Sequence, residues 1–370
     1  MTLRGASPAG APTRFVRIRL PLLVEHAAAH GTEAVRDVVL VEHRDGPAEH
    51  WGWGECPTLS TGGYVGGTTE EAWTAIVAFA SGAIAPAELP LAVRAACRDA
   101  ALDGELRRRG RSLSEHLGAT LTSVPVCRVI AAIGADRPAA IAGALDDAAG
   151  RDGMAMIKVK IDGADVGGLR AARRQIGPTL ALAADANGTI GELTPEIAAG
   201  LAEVGLTYLE QPARPGTEAL ASWSRGRAPV PVALDESIVS LDALAVALAL
   251  EPFALPLVIS IKPSRLGGIA VSAEAVRLVR AGGARWFVGG MLETGIGRAG
   301  ALAVAAMGGA QMLPTDLGPS SRYFDRDVCE PHRLTADGRI RVPDGPGIGR
   351  RPDPSRLASI AVDEVVVAAR

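Results

Sequence analysis

Hydrophobic and polar positions divide the chain into three blocks. In the first, residues 14–20 (RFVRIRL), 36–43 (RDVVLVEH) and 50–54 (HWGWG) are short runs rich in Val, Ile, Phe and Trp. Runs of that length and composition predict three strands of a meander. Apolar residues at helical spacing follow at about 69–82 and 91–109, predicting two helices. Strands first and helices afterwards make an α+β unit.

From about residue 125 the pattern alternates strictly. Strand-like runs lie at 125–131, 155–161, 180–185, 206–210, 230–235, 257–262, 285–289 and about 310–313. Ala-rich helical stretches such as TPEIAAGLAEVG and VSAEAVRLVRAGG separate them. Repeated βα units mean a parallel sheet, and eight of them suggest a closed barrel. An open doubly wound sheet would carry a Gly-rich turn after its first strand. Here that turn is IGADRP, and no GxxxxGK(S/T) occurs. The tail, RLTADGRIRVPDGPGIG and then AVDEVVVAA, returns to strands and turns and is expected to pack on the first block. The expected division is a capping domain of residues 1–122, with the return at about 330–370, and a barrel of residues 123–329.

Composition narrows the class. With 48% hydrophobic and 21% charged residues, the 370-residue chain is globular rather than disordered. A net charge of −3 provides no electrostatic footprint for nucleic acid or an anionic membrane. Cys56, Cys97, Cys127 and Cys329 form no CxxC pair, which suits buried thiols in a reducing compartment. The first residues lack the apolar core of a secretory signal. The longest apolar stretch is broken by Glu251, Pro252 and Pro256, against a membrane span. A cytoplasmic protein is expected.

The stretch MAMIKVKID (154–162) places Lys158 and Lys160 on one face of an apolar strand. Alone, such a pair suits an edge strand with one wet face, because ammonium groups are seldom buried unpaired. Further on, successive strands end in Lys160, Asp185, Glu210, Asp235 and Lys262, at spacings of 25, 25, 25 and 27 residues. Asp185 in DANG and Asp235 in DES would each serve as a turn or cap aspartate. Their shared register with two flanking lysines argues for one mouth at the C-terminal ends of barrel strands. Three carboxylates without His or Cys make a hard-oxygen site, suited to Mg2+ or Mn2+. A lysine base needs its pKa lowered from about 10.4 to about 7–8. Lys158 and the cation are expected to provide that shift for Lys160. A charge at a barrel mouth adds little to the core, so neutralising Asp235 is expected to leave the fold intact.

KVK at 158–160, DAN at 185–187, EQP at 210–212, DES at 235–237 and IKPSRLGG at 261–268 resemble the motifs of the enolase superfamily, in its muconate-lactonizing subgroup. GWGEC, GGMLETGIGRA, SSRYFDRD and DGPGIG look like its o-succinylbenzoate synthase and N-succinylamino acid racemase branch. The resemblance covers nearly the whole chain. It implies an α/β fold, a modified TIM barrel (β/α)7β under an N-terminal α+β capping domain. It implies Asp185, Glu210 and Asp235 as Mg2+ ligands and Lys160 and Lys262 as catalytic residues. Lys158, Asn187, Glu236, Met291 and Glu293 would lie beside the substrate, a small carboxylate, in a homo-oligomer. One segment departs from the family pattern: a PFRTSFGTE-like loop reads EHAAAHGTE here, with His26 and His30 in place of aromatic residues.

The shared reaction of such proteins removes a proton next to a carboxylate to give an enediolate. Dehydration by an o-succinylbenzoate synthase is the first expectation. N-succinylamino acid racemase or another muconate-cycloisomerase-like enzyme is the alternative. A Schiff-base aldolase would also need a barrel lysine, but not three carboxylates. A non-catalytic metal-binding relative would not need both lysines.

Overall fold

The computed structural model describes residues 11–368 apart from 29–30, 62–65, 132–133, 147–153, 225–227 and 250–256. Strands β1 (Thr13–Ala28), β2 (Gly31–His43) and β3 (Gly52–Cys56) form the expected meander. The C-terminal strand β13 (Ala361–Val367) joins it antiparallel to β1, giving the order β13-β1-β2-β3. Side chains alternate across this sheet. Phe15, Val39 and Val41 pack under helices Thr69–Ser81 and Leu91–Arg108, while Val16, Ile18, Val38 and Leu40 join the main core. Both faces are covered, so VVLV reads as a continuous apolar run.

The third strand begins two residues later than its sequence suggests, because Ala48–His50 forms a short 3-10 turn. Glycines explain the register that results. A Cβ on Gly52 would lie 2.0 Å from the Ala100 carbonyl oxygen, and one on Gly54 2.1 Å from that of Ala96. The helix Leu91–Arg108 therefore lies directly on the backbone of β3. GWG is a packing requirement.

After a short ribbon of β4 (Ser123–Pro125) with β12 (Arg339–Arg341), the barrel strands run in order. They are β5 (Cys127–Ile130), β6 (Met156–Lys160), β7 (Ala181–Asp185), β8 (Tyr208–Glu210), β9 (Val232–Leu234), β10 (Val258–Ile261) and β11 (Arg285–Val288), all parallel. The eighth position, expected at about 310–313, holds single bridges rather than a regular strand. Met312 bridges Trp286 and Thr315 bridges Val126. Closure uses the Leu313 N–H to the Trp286 carbonyl (2.7 Å) and the Cys127 N–H to the Thr315 carbonyl (2.7 Å). Pro314 between them has no N–H to donate, so the ladder cannot run unbroken. The fold is a modified TIM barrel with a separate antiparallel capping sheet.

Among the described residues no helix is long and apolar enough to cross a membrane. All four cysteines are buried and free.

Candidate active site

Cys127, Met156, Ala183, Tyr208, Ala233, Val258 and Phe287 fill the lower interior of the barrel as one apolar layer. Strand alternation carries each inward position up by two residues. Above Met156, Ala183, Tyr208 and Ala233 therefore stand Lys158, Asp185, Glu210 and Asp235. The apolar floor continues into a charged ceiling, and both lysines of KVK face inward. Lys160 pairs in register with Asp185, and Asp185 with Glu210.

Every one of these charges is answered inside the protein. Lys158 donates to Glu210 Oε2 (2.6 Å) and to Asp316 Oδ2 (2.5 Å), with Phe287 beneath its ammonium. Burial opposes its charge, but Asp316 and Glu210 outweigh burial and hold it an ammonium, well above its ordinary pKa. Lys158 is thus neutralised by carboxylates, which differs from its expected use as a bare charge tuning Lys160. Lys160 donates to the Asn187 amide oxygen at 2.9 Å and lies 3.6 Å from Asp185. Asn187 passes a hydrogen bond on to Glu236 (3.0 Å). Burial, with Asp235 and Asp185 nearby, pushes the Glu236 carboxyl up to about 7. Asp235, 1% exposed, accepts from Lys262 (2.9 Å) and Arg265 (2.7 Å). Burial alone would raise Asp235, yet these two cations hold it well below the usual carboxylate range. Arg265 is buried and also donates to the carbonyls of Ile238 and Ser260, so it is no surface arginine.

The loops that follow the strands carry backbone strain. Asn187, Gln211 and Leu292 have positive φ (41°, 37° and 55°), and all three lie just beyond a strand end at this mouth. Left-handed non-glycine residues collect where the surrounding structure imposes them, often at functional sites. Gln211, fully buried, shows how. Its amide oxygen accepts from the N–H groups of Asp235 and Ser237 (3.0 and 3.2 Å), so one strand end positions the next.

A cavity opens above the charged layer, walled by Lys158, Lys160, Asp185, Asn187, Glu210, Lys262 and Met291. The capping domain contributes Glu33 and Leu59 to the same wall. Glu33 accepts from the Ser60 N–H (2.6 Å) and hydroxyl (2.7 Å), tying the two capping segments together. Asp235, Glu236 and Glu293 sit behind the wall and touch residues that line it. Glu293 is held by Arg298 (3.0 Å) and by the Met291 N–H (2.9 Å). The side chain of His26 and the whole of His30 lie outside the described residues.

Sequence reasoning missed Asp316, Glu33 and Arg36. Arg36, with no exposed surface, donates to the carbonyls of Pro57 and Thr58 in the cap and of Met291 and Leu292 at the barrel mouth. Arg36 reaches across 255 residues to Met291 and Glu33 meets Ser60 27 residues on, so no local pattern marks either.

The donor set suits a hard divalent cation: three buried carboxylate side chains on adjacent strand ends, without thiolate or imidazole. Among the described residues no three His, Cys, Asp or Glu side chains are gathered as a ready-made ligand set. Glu210 and Asp235 are each hydrogen-bonded to cationic side chains instead, and Asp185 has Lys160 close by.

Residues 140–356 match the profile of the family described as Enolase C-terminal domain-like. An N-succinylamino acid racemase from an Amycolatopsis species is 33% identical over 94% of this chain and 96% of its own length. An o-succinylbenzoate synthase from Geobacillus stearothermophilus is 32% identical over 90% of each chain. The solved structure of a probable mandelate racemase from Alicyclobacillus acidocaldarius superposes with a TM-score of 0.81, at 29% identity and 98% coverage of both chains.

Proposed function

The chain belongs to the enolase superfamily, in the branch of o-succinylbenzoate synthases and N-succinylamino acid racemases, and on that premise we propose that Lys160 removes the proton next to a substrate carboxylate. It is an enzyme, a lyase or an isomerase. Membership implies a divalent metal. The residues present fit one, and we assign Asp185, Glu210 and Asp235 to hold Mg2+, with Mn2+ as a substitute. When bound, such an ion supplies the positive charge that stabilises an enediolate.

The chain's own residues do the rest. Asn187 fixes the amine of Lys160 by accepting from it at 2.9 Å. Lys262 follows β10, four strands round from β6 in an eight-position barrel, and so faces the substrate from the opposite side. Leu59 and Met291 cover the cavity and help exclude water.

One observation carries the finer reading. The two lysines are not equivalent: Lys160 hydrogen-bonds a neutral amide at 2.9 Å with the Asp185 carboxylate at 3.6 Å, whereas Lys262 hydrogen-bonds a carboxylate directly at 2.9 Å. Unequal amines suit dehydration, the o-succinylbenzoate synthase reaction. Lys160 takes the α-proton and delivers a proton to the departing β-hydroxyl, which leaves as water. Lys262 stays an ammonium beside the developing negative charge. N-acylamino acid racemisation is the second reading, favoured by the opposed placement of the lysines and the 33% identical relative.

Supplying the cyclohexadiene substrate of the synthase, and separately each enantiomer of N-succinylphenylalanine in D2O, tests both. Under the synthase reading Lys160→Ala abolishes dehydration, while Lys262→Arg keeps part of it. Under the racemase reading either replacement stops turnover, and the surviving lysine still exchanges the α-proton of one enantiomer. Inactivity of the wild type on all of these substrates would refute both assignments. Borohydride trapping of substrate would point to a Schiff base instead.

A further inference from the structure

Lys158 bridges two carboxylates, and only one of them belongs to the three assigned to a metal. Its ammonium lies 2.6 Å from Glu210 Oε2 and 2.5 Å from Asp316 Oδ2, and the residue is 2% exposed. A divalent ion that takes Glu210 competes with this ammonium for the same oxygen. It also leaves a like charge a few ångströms away at a largely buried site, where repulsion is felt more than in bulk water. A buried ammonium stripped of its partner is costly. At 2% exposure, Lys158 has little solvent to replace that partner.

Asp316 can replace it. It stands just beyond the eighth barrel position, on the side of Lys158 away from β8, and lines the same cavity. Its Oδ1 is buried and has no hydrogen-bond partner among the described residues, so the carboxylate has capacity left. An ammonium has three protons to donate, enough to move from one oxygen of Glu210 to a second oxygen of Asp316. Arg265, one of the two cations on Asp235, has a comparable recourse, since it also donates to the carbonyls of Ile238 and Ser260.

We propose that Asp316 is the positioning residue that receives the Lys158 ammonium and so releases Glu210 to a divalent ion. The proposal rests on the reading that Asp185, Glu210 and Asp235 hold that ion. Partners one step removed from a metal commonly govern its affinity by about 10- to 100-fold. Here the effect comes through charge rather than through orientation of a ligand.

The test is Mn2+ binding to the substrate-free protein, by calorimetry or by the Mn2+ electron paramagnetic resonance signal at fixed pH. Asp316→Asn leaves Lys158 with Glu210 alone and weakens Mn2+ binding by about 10- to 100-fold. Lys158→Met combined with Asp316→Asn removes the competing ammonium and restores most of the affinity. Lys158→Met alone binds Mn2+ at least as tightly as wild type, which keeps the proposal testable should Asp316→Asn fail to fold. Unchanged affinity in Asp316→Asn, a double variant as weak as the single one, or weaker binding by Lys158→Met would each overturn the proposal. Glu210→Gln with wild-type Mn2+ affinity would instead remove the ligand assignment underneath it, and the proposal with it.

Discussion

Glu55, in the last residues of β3, accepts both the N–H (2.9 Å) and the hydroxyl (2.6 Å) of Thr294, at the start of the helix Gly295–Ala305. The Gly297 N–H adds a third bond at 2.8 Å. A carboxylate of the capping sheet thus caps the helix that follows the seventh barrel strand, and with Arg36 it fastens the cap to the mouth.

Glu55→Ala strands these donors in a buried place. The expected loss is about 3 kcal/mol of stability, since each unsatisfied buried group costs about 1–3 kcal/mol. Urea unfolding of the two proteins measures it, and a loss below about 0.5 kcal/mol would show the contact to be dispensable.

Asp235→Asn should destabilise the fold as well as abolish activity. Charge at a barrel mouth is cheap only where water reaches it, and Asp235 is 1% exposed between Lys262 and Arg265. Breaking a buried ion pair from one side costs about 3–5 kcal/mol. A metal-free melting curve that matches wild type would favour the view that such a charge adds nothing to the core.

Gly289→Ala should strike kcat more than stability. A Cβ there would lie 2.6 Å from Cε of Lys262 and 2.9 Å from Oγ of Ser260, so the end of the lysine must move. Misplacing a catalytic group by about 1 Å costs on the order of 100-fold in rate. Steady-state kinetics beside a thermal melt separates the two effects; unchanged kcat would mean that Lys262 does not act from its observed position.

His332 makes the protein sensitive to acid. Its Nε2 donates to the Gly295 carbonyl at 3.0 Å, its Nδ1 has no partner among the described residues, and burial pushes its pKa down to about 4. The unfolded chain holds the extra proton between about pH 6.5 and pH 4, so stability is full above that window and falls as pH drops through it. The difference corresponds to about 3 kcal/mol. Melting curves at pH 7.5 and pH 4.5 should converge for wild type and His332→Gln once this contribution is subtracted, and an equal acid loss in both would assign it elsewhere.

The register of Lys160, Asp185, Glu210, Asp235 and Lys262 was legible in the sequence because one βα unit has a nearly constant length. A charge at the end of each apolar strand then marks one face of a barrel whatever the loops do. Inward orientation of Lys158 followed from the two-residue period of a strand. What answers that lysine did not. Asp316 follows a closing segment interrupted by Pro314 and held by single bridges, which leaves no periodic run to read. Glu33, Arg36 and Glu55 meet the barrel mouth through contacts some 240 to 260 residues apart or through the packed cap, as with Arg36 and Leu292 or Glu55 and Thr294. Local pattern determines where a chain forms strands and which face carries charge. Only the closed barrel, by burying those charges together, decides which of them pair and which face the cavity.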